Sequence, residues 1–103
     1  MIIEWAPFVK LSHVSENEFI SAAEQINLKF ISQQKGFIKR ELVKKNATEF
    51  ADILYWETRD DAEFAAKKAY ECQACLNYFA MMDDHGKTGG EFSHYEIIKS
   101  WKE

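Results

Sequence analysis

The sequence predicts an α+β fold of the ferredoxin-like type, in which helices cover one face of a four-stranded antiparallel sheet. Two observations lead to this prediction. Strand-like and helix-like patterns follow one another in the order βαββαβ, and two capping patterns mark where the helices begin. The 103 residues are enough for one domain, residues 1–103, and leave little room for a second.

The first part of the chain is expected to form a strand and a helix. Residues 2–12 mix alternation with β-branched and aromatic side chains, which is typical of a strand. Pro7 has no N–H to donate to a neighbouring strand, so we expect a bulge or a locally unpaired position there. Ser15 with Glu18 three positions later has the spacing of a capping box, and it predicts a helix over about residues 15–34.

The rest of the chain is expected to add a hairpin, a second helical region and a last strand. Asp60 with Glu63 repeats the capping pattern, so the second helical region is predicted over about residues 60–82. A break or change of direction is expected in it near residues 71–73. The other predicted segments are hairpin strands at residues 37–45 and 50–57, a loop at 83–90 and a strand at 92–99.

Composition and charge exclude several classes of protein. Aromatic residues make up 15% of the chain, which is more than an intrinsically disordered sequence carries. The net charge of −4 and the isoelectric point near 5.4 leave no basic surplus for nucleic acid. No apolar run reaches the length of about 18 residues that spans a bilayer, and the N-terminus lacks the pattern of a signal peptide. We therefore expect a cytoplasmic protein that binds neither nucleic acid nor membranes.

Both faces of the predicted sheet carry apolar side chains, although the chain has only enough helix to cover one. In the third strand Ala51, Ile53 and Tyr55 lie on one face, whereas Phe50, Leu54 and Trp56 lie on the other. The first strand shows the same two-sided pattern. Because a monomer would leave one apolar face in water, the sequence predicts a homodimer that pairs the two sheets.

Several segments resemble a known superfamily. They are the run from Ala51 to Thr58, the Asp-Asp-Ala-Glu helix start at residues 60–63, the pair Gly36-Phe37 and the His94-Tyr95-Glu96 segment. Together they resemble the dimeric α/β barrel superfamily and, within it, the antibiotic-biosynthesis-monooxygenase-like group, over nearly the whole chain. The resemblance implies that ferredoxin-like subunits dimerise into an α/β barrel.

The resemblance also implies a kind of ligand site. The superfamily includes oxygenases that oxidise aromatic polyketides without metal or flavin, and oxygenases that degrade heme. Where a pocket is known, the ligand lies between the helices and the sheet of each subunit, and Trp56 matches the strand tryptophan that lines it. Heme-degrading members carry an axial histidine on a helix, but the corresponding residues 74–79 contain none. That departure argues against heme, and no cofactor is expected.

Polar side chains interrupt the apolar strand faces at even-numbered positions. If these positions face the helices, Glu4, Asp52, Trp56 and His94 line one cavity. A histidine beside carboxylates has the pKa range of a general base, so His94 or Asp52 is the candidate catalytic residue that removes a phenolic proton. The alternative is a buried hydrogen-bonded cluster, or solvated strand ends, without a catalytic role. The candidate substrate-binding residues are Trp56, Glu4, Phe8 and Tyr78, with core packing as their alternative.

Three other features are interpreted as structural. Cys72 and Cys75 have the spacing of redox and metal motifs, but they follow a dozen residues of helical pattern, so two ordinary thiols are predicted and no metal site. His85 lies in the predicted loop, where a solvated position is favoured over a lid or a weak metal ligand. The basic residues of the hairpin are interpreted as an alternating, solvated edge; they are Lys39, Arg40, Lys44 and Lys45.

Three functions remain open from the sequence. The first is a cofactor-independent monooxygenase that acts on an aromatic or apolar small molecule. The second is a non-catalytic homodimer that binds a small hydrophobic ligand in the same cavity. The third is a structural dimer whose cavity is filled by its own side chains. An open cavity with converging polar groups favours the first two.

Overall fold

The computed structural model describes residues 1–103, which form four strands and three helices. The strands are β1 (Ile2–Val9), β2 (Phe37–Lys44), β3 (Glu49–Trp56) and β4 (Ser93–Glu96), and the helices are α1 (Glu16–Lys29), α2 (Arg59–Lys68) and α3 (Gln73–Phe79). Short 3-10 turns lie at Ile31–Gln33, Ala69–Glu71 and Asp83–Gly86. The sheet is antiparallel with strand order β2-β3-β1-β4, so the predicted ferredoxin-like α+β fold is confirmed.

The two long helical regions begin at hydroxyl caps. At the start of α1 the Glu18 N–H donates to Ser15 Oγ at 3.1 Å, and the Ser15 N–H donates to the Glu18 carboxylate at 3.4 Å, as the capping box predicts. Helix α2 is capped by Thr58, whose hydroxyl accepts from the Asp61 N–H at 3.1 Å. The predicted start near Asp60 lies within one residue of the observed start at Arg59, but Asp60 as the capping residue was wrong. The Thr58 hydroxyl is the cap, and the acidic residues occupy the first turn, where their charge interacts favourably with the helix dipole.

Of the two alternatives expected at Pro7, a bulge or a locally unpaired position, strand β1 shows the second. Its register with β3 is continuous and places Pro7 opposite Ala51. Pairing with β4 ends where Trp5 faces Ser93, the first residue of β4. Pro7 therefore lies beyond the β4 strand, and its missing N–H leaves no carbonyl of that strand unpaired. The shift in register occurs in β2 instead, between Phe37 and Lys39. Since β1 and β3 stay in register, the even-numbered positions of both strands share one face.

The second helical region contains the predicted break. Helix α2 ends at Lys68, the 3-10 turn follows, and Cys72 is extended, with φ −109° and ψ 124°, before α3 begins. The last strand is shorter than predicted, because β4 reaches the start of β1 where Glu96 pairs with Ile2. Beyond that point the chain has no strand beside it, and Ile98 is 93% exposed.

The core lies between the helices and the even-numbered face of the sheet. Phe8 of β1, Phe50 of β3, Phe19 of α1 and Tyr78 of α3 form an aromatic cluster with ring centroids 5.0 to 6.2 Å apart. These rings fix the helices against the sheet by apolar burial and by tilted and stacked ring contacts.

The odd-numbered face of the sheet is apolar and exposed. Trp5 of β1, Val43 of β2 and Tyr95 of β4 are all exposed on it. The two-sided pattern read from the sequence is therefore present in the folded chain, with one face under the helices and the other in contact with solvent. No helix has the length and apolar character needed to cross a membrane.

Candidate functional site

A cavity of about 470 Å³ lies between the helices and the even-numbered face of the sheet. Of its 22 lining residues 15 are hydrophobic, so the few polar groups on its wall would determine how a ligand is oriented. The predicted site residues on this wall are Glu4, Phe8, Asp52, Trp56 and Tyr78. His94 stands beside Glu4 and does not line the cavity. The continuous β1–β3 register is what brings the residues of these two strands to one face.

Asp52 is a buried carboxylate with both oxygens engaged. Oδ1 accepts from Arg40 Nε at 2.8 Å, and Oδ2 accepts from the Tyr78 hydroxyl at 2.7 Å. Arg40 also donates through Nη1 to the Ala23 carbonyl at 2.8 Å. Burial raises the pKa of Tyr78 well above its usual value and the charge of Asp52 adds to the rise, so the hydroxyl remains a donor. The network joins β2 and β3 to α1 and α3, and each Asp52 oxygen already accepts one hydrogen bond within it.

Arg40 does not belong to a solvated edge, and that interpretation was wrong for this residue. Its side chain is 8% exposed, whereas that of Lys39 is 57% exposed. Burial acts against the guanidinium charge, but the adjacent Asp52 carboxylate outweighs it and raises the pKa of Arg40. In the sheet Arg40 pairs with Leu54 and so lies diagonally across from Asp52 on the even-numbered face.

Glu4 is the second buried carboxyl of the site. Unlike Asp52 it has no arginine or lysine partner, and the basic side chain within salt-bridge distance of it is that of His94. Glu4 is 8% exposed. Burial raises its pKa to about 7; the nearby Trp56 indole N–H acts against this rise, and the charge of Asp52 adds to it. A carboxyl with a pKa near neutrality can both accept and return a proton under ordinary conditions, which is the requirement for a general base.

His94 lies directly opposite Glu4 in the β1–β4 ladder. Its Nε2 is 3.5 Å from Glu4 Oε1, which is longer than a well-formed hydrogen bond, and its side chain is 8% exposed. Burial lowers the pKa of His94, the positive charge of Arg59 adds to this, and the negative charge of Glu63 opposes it. The lowered pKa favours the neutral imidazole beside Glu4.

Three buried nitrogen atoms near the cavity lack a hydrogen-bond partner. They are Arg40 Nη2, Trp56 Nε1 and His94 Nε2. An unpaired buried donor costs roughly 1–3 kcal/mol, so an acceptor that reaches one of these atoms gains binding energy. Trp56 is only 1% exposed and lines the cavity; its indole N–H lies near the Glu4 carboxyl but does not reach it in hydrogen-bond geometry.

The loop between α3 and β4 borders the cavity. His85 is exposed, as predicted. His85 and Gly90 are also among the residues that line the cavity, so the loop forms part of its edge. Gly89 holds the loop against β1, with φ +101°, and a Cβ atom there would lie 2.6 Å from the Phe8 Cα atom. Only glycine tolerates both this conformation and this approach.

Solved structures resemble the fold over nearly the whole chain, although the sequence matches no protein-family profile and no curated protein. A mutant of SnoaB from Streptomyces nogalater, described as a cofactor-independent oxygenase, has a TM-score of 0.73 at 15% identity, covering 99% of this chain and 98% of that chain. A protein from Bordetella bronchiseptica, named as a candidate antibiotic biosynthesis monooxygenase, has a TM-score of 0.70 at 14% identity, covering 95% and 97%. The chain has the antibiotic-biosynthesis-monooxygenase-like fold.

A third similar structure shows that this fold also accommodates a large planar ligand. It is a mutant of MhuD with two manganese protoporphyrin IX molecules bound per active site, with a TM-score of 0.64 at 12% identity and complete coverage of both chains. In the present chain no group of three or more His, Cys, Asp or Glu side chains is arranged to hold a metal ion. Helix α3 contributes Tyr78 and Phe79 to the cavity wall, and it carries no histidine.

Sequence reasoning missed two parts of this candidate site. Arg40 was missed because it was grouped with its basic neighbours. The signal that could have found it is Asp52, since a carboxylate in an apolar strand is stabilised by a cationic side chain on an adjacent strand. The loop glycines were missed because they match no binding motif, and the Gly89 contact with Phe8 depends on how the loop returns to β1.

Proposed function

We propose that the protein is a cofactor-independent monooxygenase that oxidises an aromatic or apolar small molecule, with Glu4 as the base that removes a proton from the substrate. The observation that carries the proposal is the buried Glu4 carboxyl on the wall of a largely apolar cavity of about 470 Å³. A phenol that loses its proton becomes electron-rich enough to react with dioxygen without a metal or flavin. The fold likeness to SnoaB, described as a cofactor-independent oxygenase, supports this reaction class.

The geometry favours Glu4 as the base over the two residues that the sequence pattern favoured. Glu4 lines the cavity, whereas His94 lies beside Glu4 and outside the lining. Both oxygens of Asp52 already accept hydrogen bonds from Arg40 and Tyr78. In this proposal Glu4 keeps the proton that it acquires until the substrate or solvent takes it, because burial raises the pKa of Glu4 to about 7 and lowers the pKa of the neighbouring His94. Asp52 keeps the cavity wall in place.

Substrate recognition combines one directed donor with aromatic packing. The unpaired Trp56 Nε1 can donate to a phenolate or carbonyl oxygen of the substrate. Phe8 and Tyr78 supply ring faces on the same wall, and aromatic ligands pack against such rings in tilted or offset arrangements. The cavity volume lies within the usual range for small-molecule sites, so we propose a phenol of one to three fused rings as substrate class.

Oxygen consumption with a panel of such phenols tests the proposal. Glu4→Gln should lower kcat by about 10²- to 10⁴-fold, the usual contribution of a positioned base. Glu96→Gln is the matched control, because Glu96 is an exposed carboxyl two positions along β4 from His94. His94→Ala should reduce kcat less than Glu4→Gln. Unchanged turnover by Glu4→Gln would remove Glu4 from the mechanism and return the base role to His94 or Asp52.

The second candidate function is non-catalytic binding of a small hydrophobic ligand in the same cavity. It is favoured by the same apolar wall and needs no proton acceptor. Titration calorimetry distinguishes the two functions. Phenols that bind with no oxygen consumption, and with equal affinity for wild type and Glu4→Gln, would establish binding alone.

We also propose that the protein is a homodimer in which the odd-numbered sheet face is covered by the same face of a second copy. Trp5, Val43 and Tyr95 are exposed on this face. Ile53 of β3 lies on the same face, opposite Trp5. A contiguous apolar sheet face in water is unfavourable for a monomer, and a self-complementary twofold contact covers it. The resemblance to dimeric α/β barrels supports this arrangement.

A further inference from the structure

The Cys72–Cys75 pair lies at a position that the sequence did not reveal. A break was predicted near residues 71–73, but the pair was still expected to follow about a dozen helical residues; instead α2 ends at Lys68, and Cys72 is the extended residue immediately before α3. Cys75 is then the third residue of the new helix. A residue before a helix and the third residue within it direct their side chains toward each other, as Ser15 and Glu18 do at the start of α1. The break therefore brings the two thiols together.

The two thiols differ in their access to solvent. Cys75 is completely buried, at 0% exposure, whereas Cys72 is half-buried. Cys72 lines an open groove between α1 and α3, and six of its ten lining residues are polar or charged, with Gln25, Lys29 and Asn77 among them. A small polar molecule can therefore reach Cys72 from the groove, but it cannot reach Cys75.

The electrostatic surroundings separate the thiols further. Burial raises the pKa of Cys72, but the Cys75 N–H, the Cys75 thiol, the Ala74 N–H and the charge of Lys29 together lower it below its usual value. Burial raises the pKa of Cys75 to about 12, and the neighbouring Cys72 thiol adds to the rise. In thiol–disulfide exchange the accessible, more acidic thiol attacks, and a second, less acidic thiol resolves the mixed disulfide. Cys72 has the properties of the first and Cys75 those of the second.

We propose that Cys72 and Cys75 form a thiol–disulfide exchange site that is oxidised by a small polar disulfide of the glutathione type. The Cys72 thiolate attacks one sulfur of the small disulfide; its S–S bond breaks, and the first thiolate leaves and takes a proton from water. Cys75 then attacks the Cys72 sulfur, the mixed S–S bond breaks, and the proton of Cys75 passes to the departing second small thiolate, which leaves as a thiol. The protein dithiol is oxidised to one disulfide, and the small disulfide is reduced to two thiols.

This site is independent of the proposed oxygenase activity. The groove beside Cys72 shares no lining residue with the cavity that holds Glu4 and Trp56. An exchange reaction at the cysteine pair can therefore be present or absent whatever the cavity binds.

Incubation of the full-length protein with oxidised and reduced glutathione in varied ratios tests the proposal. Free thiols are then blocked with N-ethylmaleimide and the intact mass is measured. Wild type should lose both free thiols together and carry no glutathione at the oxidising end of the series. Cys75→Ser should stop at one glutathione per chain, on Cys72, and Cys72→Ser should carry none. Wild type that keeps two free thiols throughout, or that accumulates glutathione on Cys72 without forming the internal disulfide, would overturn the proposal.

A second measurement keeps the test valid if the substitution of the buried Cys75 prevents folding. In folded wild type, iodoacetamide should alkylate Cys72 at least ~100-fold faster than Cys75 at pH 7, because reaction requires both access and thiolate. Peptide mapping gives the two rates separately. Equal rates at the two positions would show that the thiols are not divided into attacking and resolving groups, and would also overturn the proposal.

Discussion

At the scale of single residues, Glu4 connects stability with pH. Its carboxyl has a pKa of about 7 in the folded chain and an ordinary value of 4.5 when unfolded. Below pH 4.5 both states are protonated and the group has no effect on stability. Between pH 4.5 and 7 the unfolded state releases its proton first, so stability falls as pH rises, and the loss is complete above pH 7. The shift corresponds to about 3 kcal/mol.

Glu4→Gln should therefore stabilise the protein at high pH and much less at low pH. The glutamine keeps the shape of the side chain and cannot ionise, so the variant avoids the cost of a buried charge. Urea unfolding at pH 8 should give a gain of up to about 3 kcal/mol, and most of it should disappear at pH 5. Glu96→Gln is the control, since its exposed carboxyl should give the same small difference at both values. A gain for Glu4→Gln that does not change with pH would contradict a raised pKa.

The Arg40–Asp52 pair should show the behaviour of a buried ion pair. Arg40→Met or Asp52→Leu alone leaves the other charge buried without its partner, which costs about 3–5 kcal/mol. The double variant should lose clearly less than the sum of the two single losses. The matched control is the exposed pair Arg59–Glu63, with N–O distance 3.2 Å, where Arg59→Met should cost less than about 1 kcal/mol. Additive losses at Arg40 and Asp52 in urea unfolding would show that the two side chains do not act as a pair.

Residue-scale prediction from the sequence succeeded where strand alternation decides the outcome. Glu4, Asp52 and Trp56 share a parity, and the uninterrupted β1–β3 register places them on one cavity wall. His94 shares the face but not the lining, because β4 lies at the edge of the sheet. Which of Glu4 and Asp52 forms an ion pair could not be predicted. The answer depends on where the Arg40 side chain lies, and Arg40 belongs to a strand whose register shifts at its start.

At the scale of elements, the loop between α3 and β4 depends on Gly89. Gly89→Ala places a Cβ atom 2.6 Å from the Phe8 Cα atom, at a φ of +101° that is strained for alanine. Because the added Cβ atom would overlap backbone atoms of β1, the loop should move away from β1 and open that end of the cavity. Gly90→Ala is the control: it has the same kind of strain, at φ +130°, but its nearest contact is the Pro7 side chain at 3.2 Å.

Hydrogen exchange measures the effect on the loop directly. Amides of residues 83–92 should exchange at least ~10-fold faster in Gly89→Ala than in Gly90→Ala, while the amides of β1–β3 pairing stay protected. Equal exchange in the two variants would show that the backbone contact with Phe8 does not hold the loop.

Element boundaries were predictable where the signal is local. The capping box at Ser15 and Glu18 fixed the start of α1, because two side-chain hydrogen bonds within one turn determine it. The end of β4 was not predictable, because it depends on where β1 begins across the sheet. The arrangement of Cys72 and Cys75 was also out of reach, since the place where α2 ends decides whether the pair is inside a helix or at its start.

At the scale of the whole molecule, one sheet has two apolar faces and only one set of helices. Ile53 lies at the centre of the open face, opposite Trp5 in β1 and Glu41 in β2. A specific dimer interface needs about 600–1,000 Å² from each partner, which a four-stranded sheet face can supply. A partner sheet packed at about 10 Å would bury Ile53 and Trp5 together.

Ile53→Glu should therefore give a folded monomer. A carboxylate at the centre of the paired sheets would be buried opposite its own symmetry copy, which costs far more than the same charge in water. Sedimentation velocity at micromolar concentration should find wild type at twice the 12.0 kDa chain mass and Ile53→Glu at the chain mass. Leu28→Glu is the matched control, because Leu28 is 63% exposed on α1, away from the sheet, and this variant should stay dimeric. Circular dichroism should be the same for all three proteins. A wild-type monomer under these conditions would mean that the exposed sheet face is tolerated in water and that the proposed dimer is wrong.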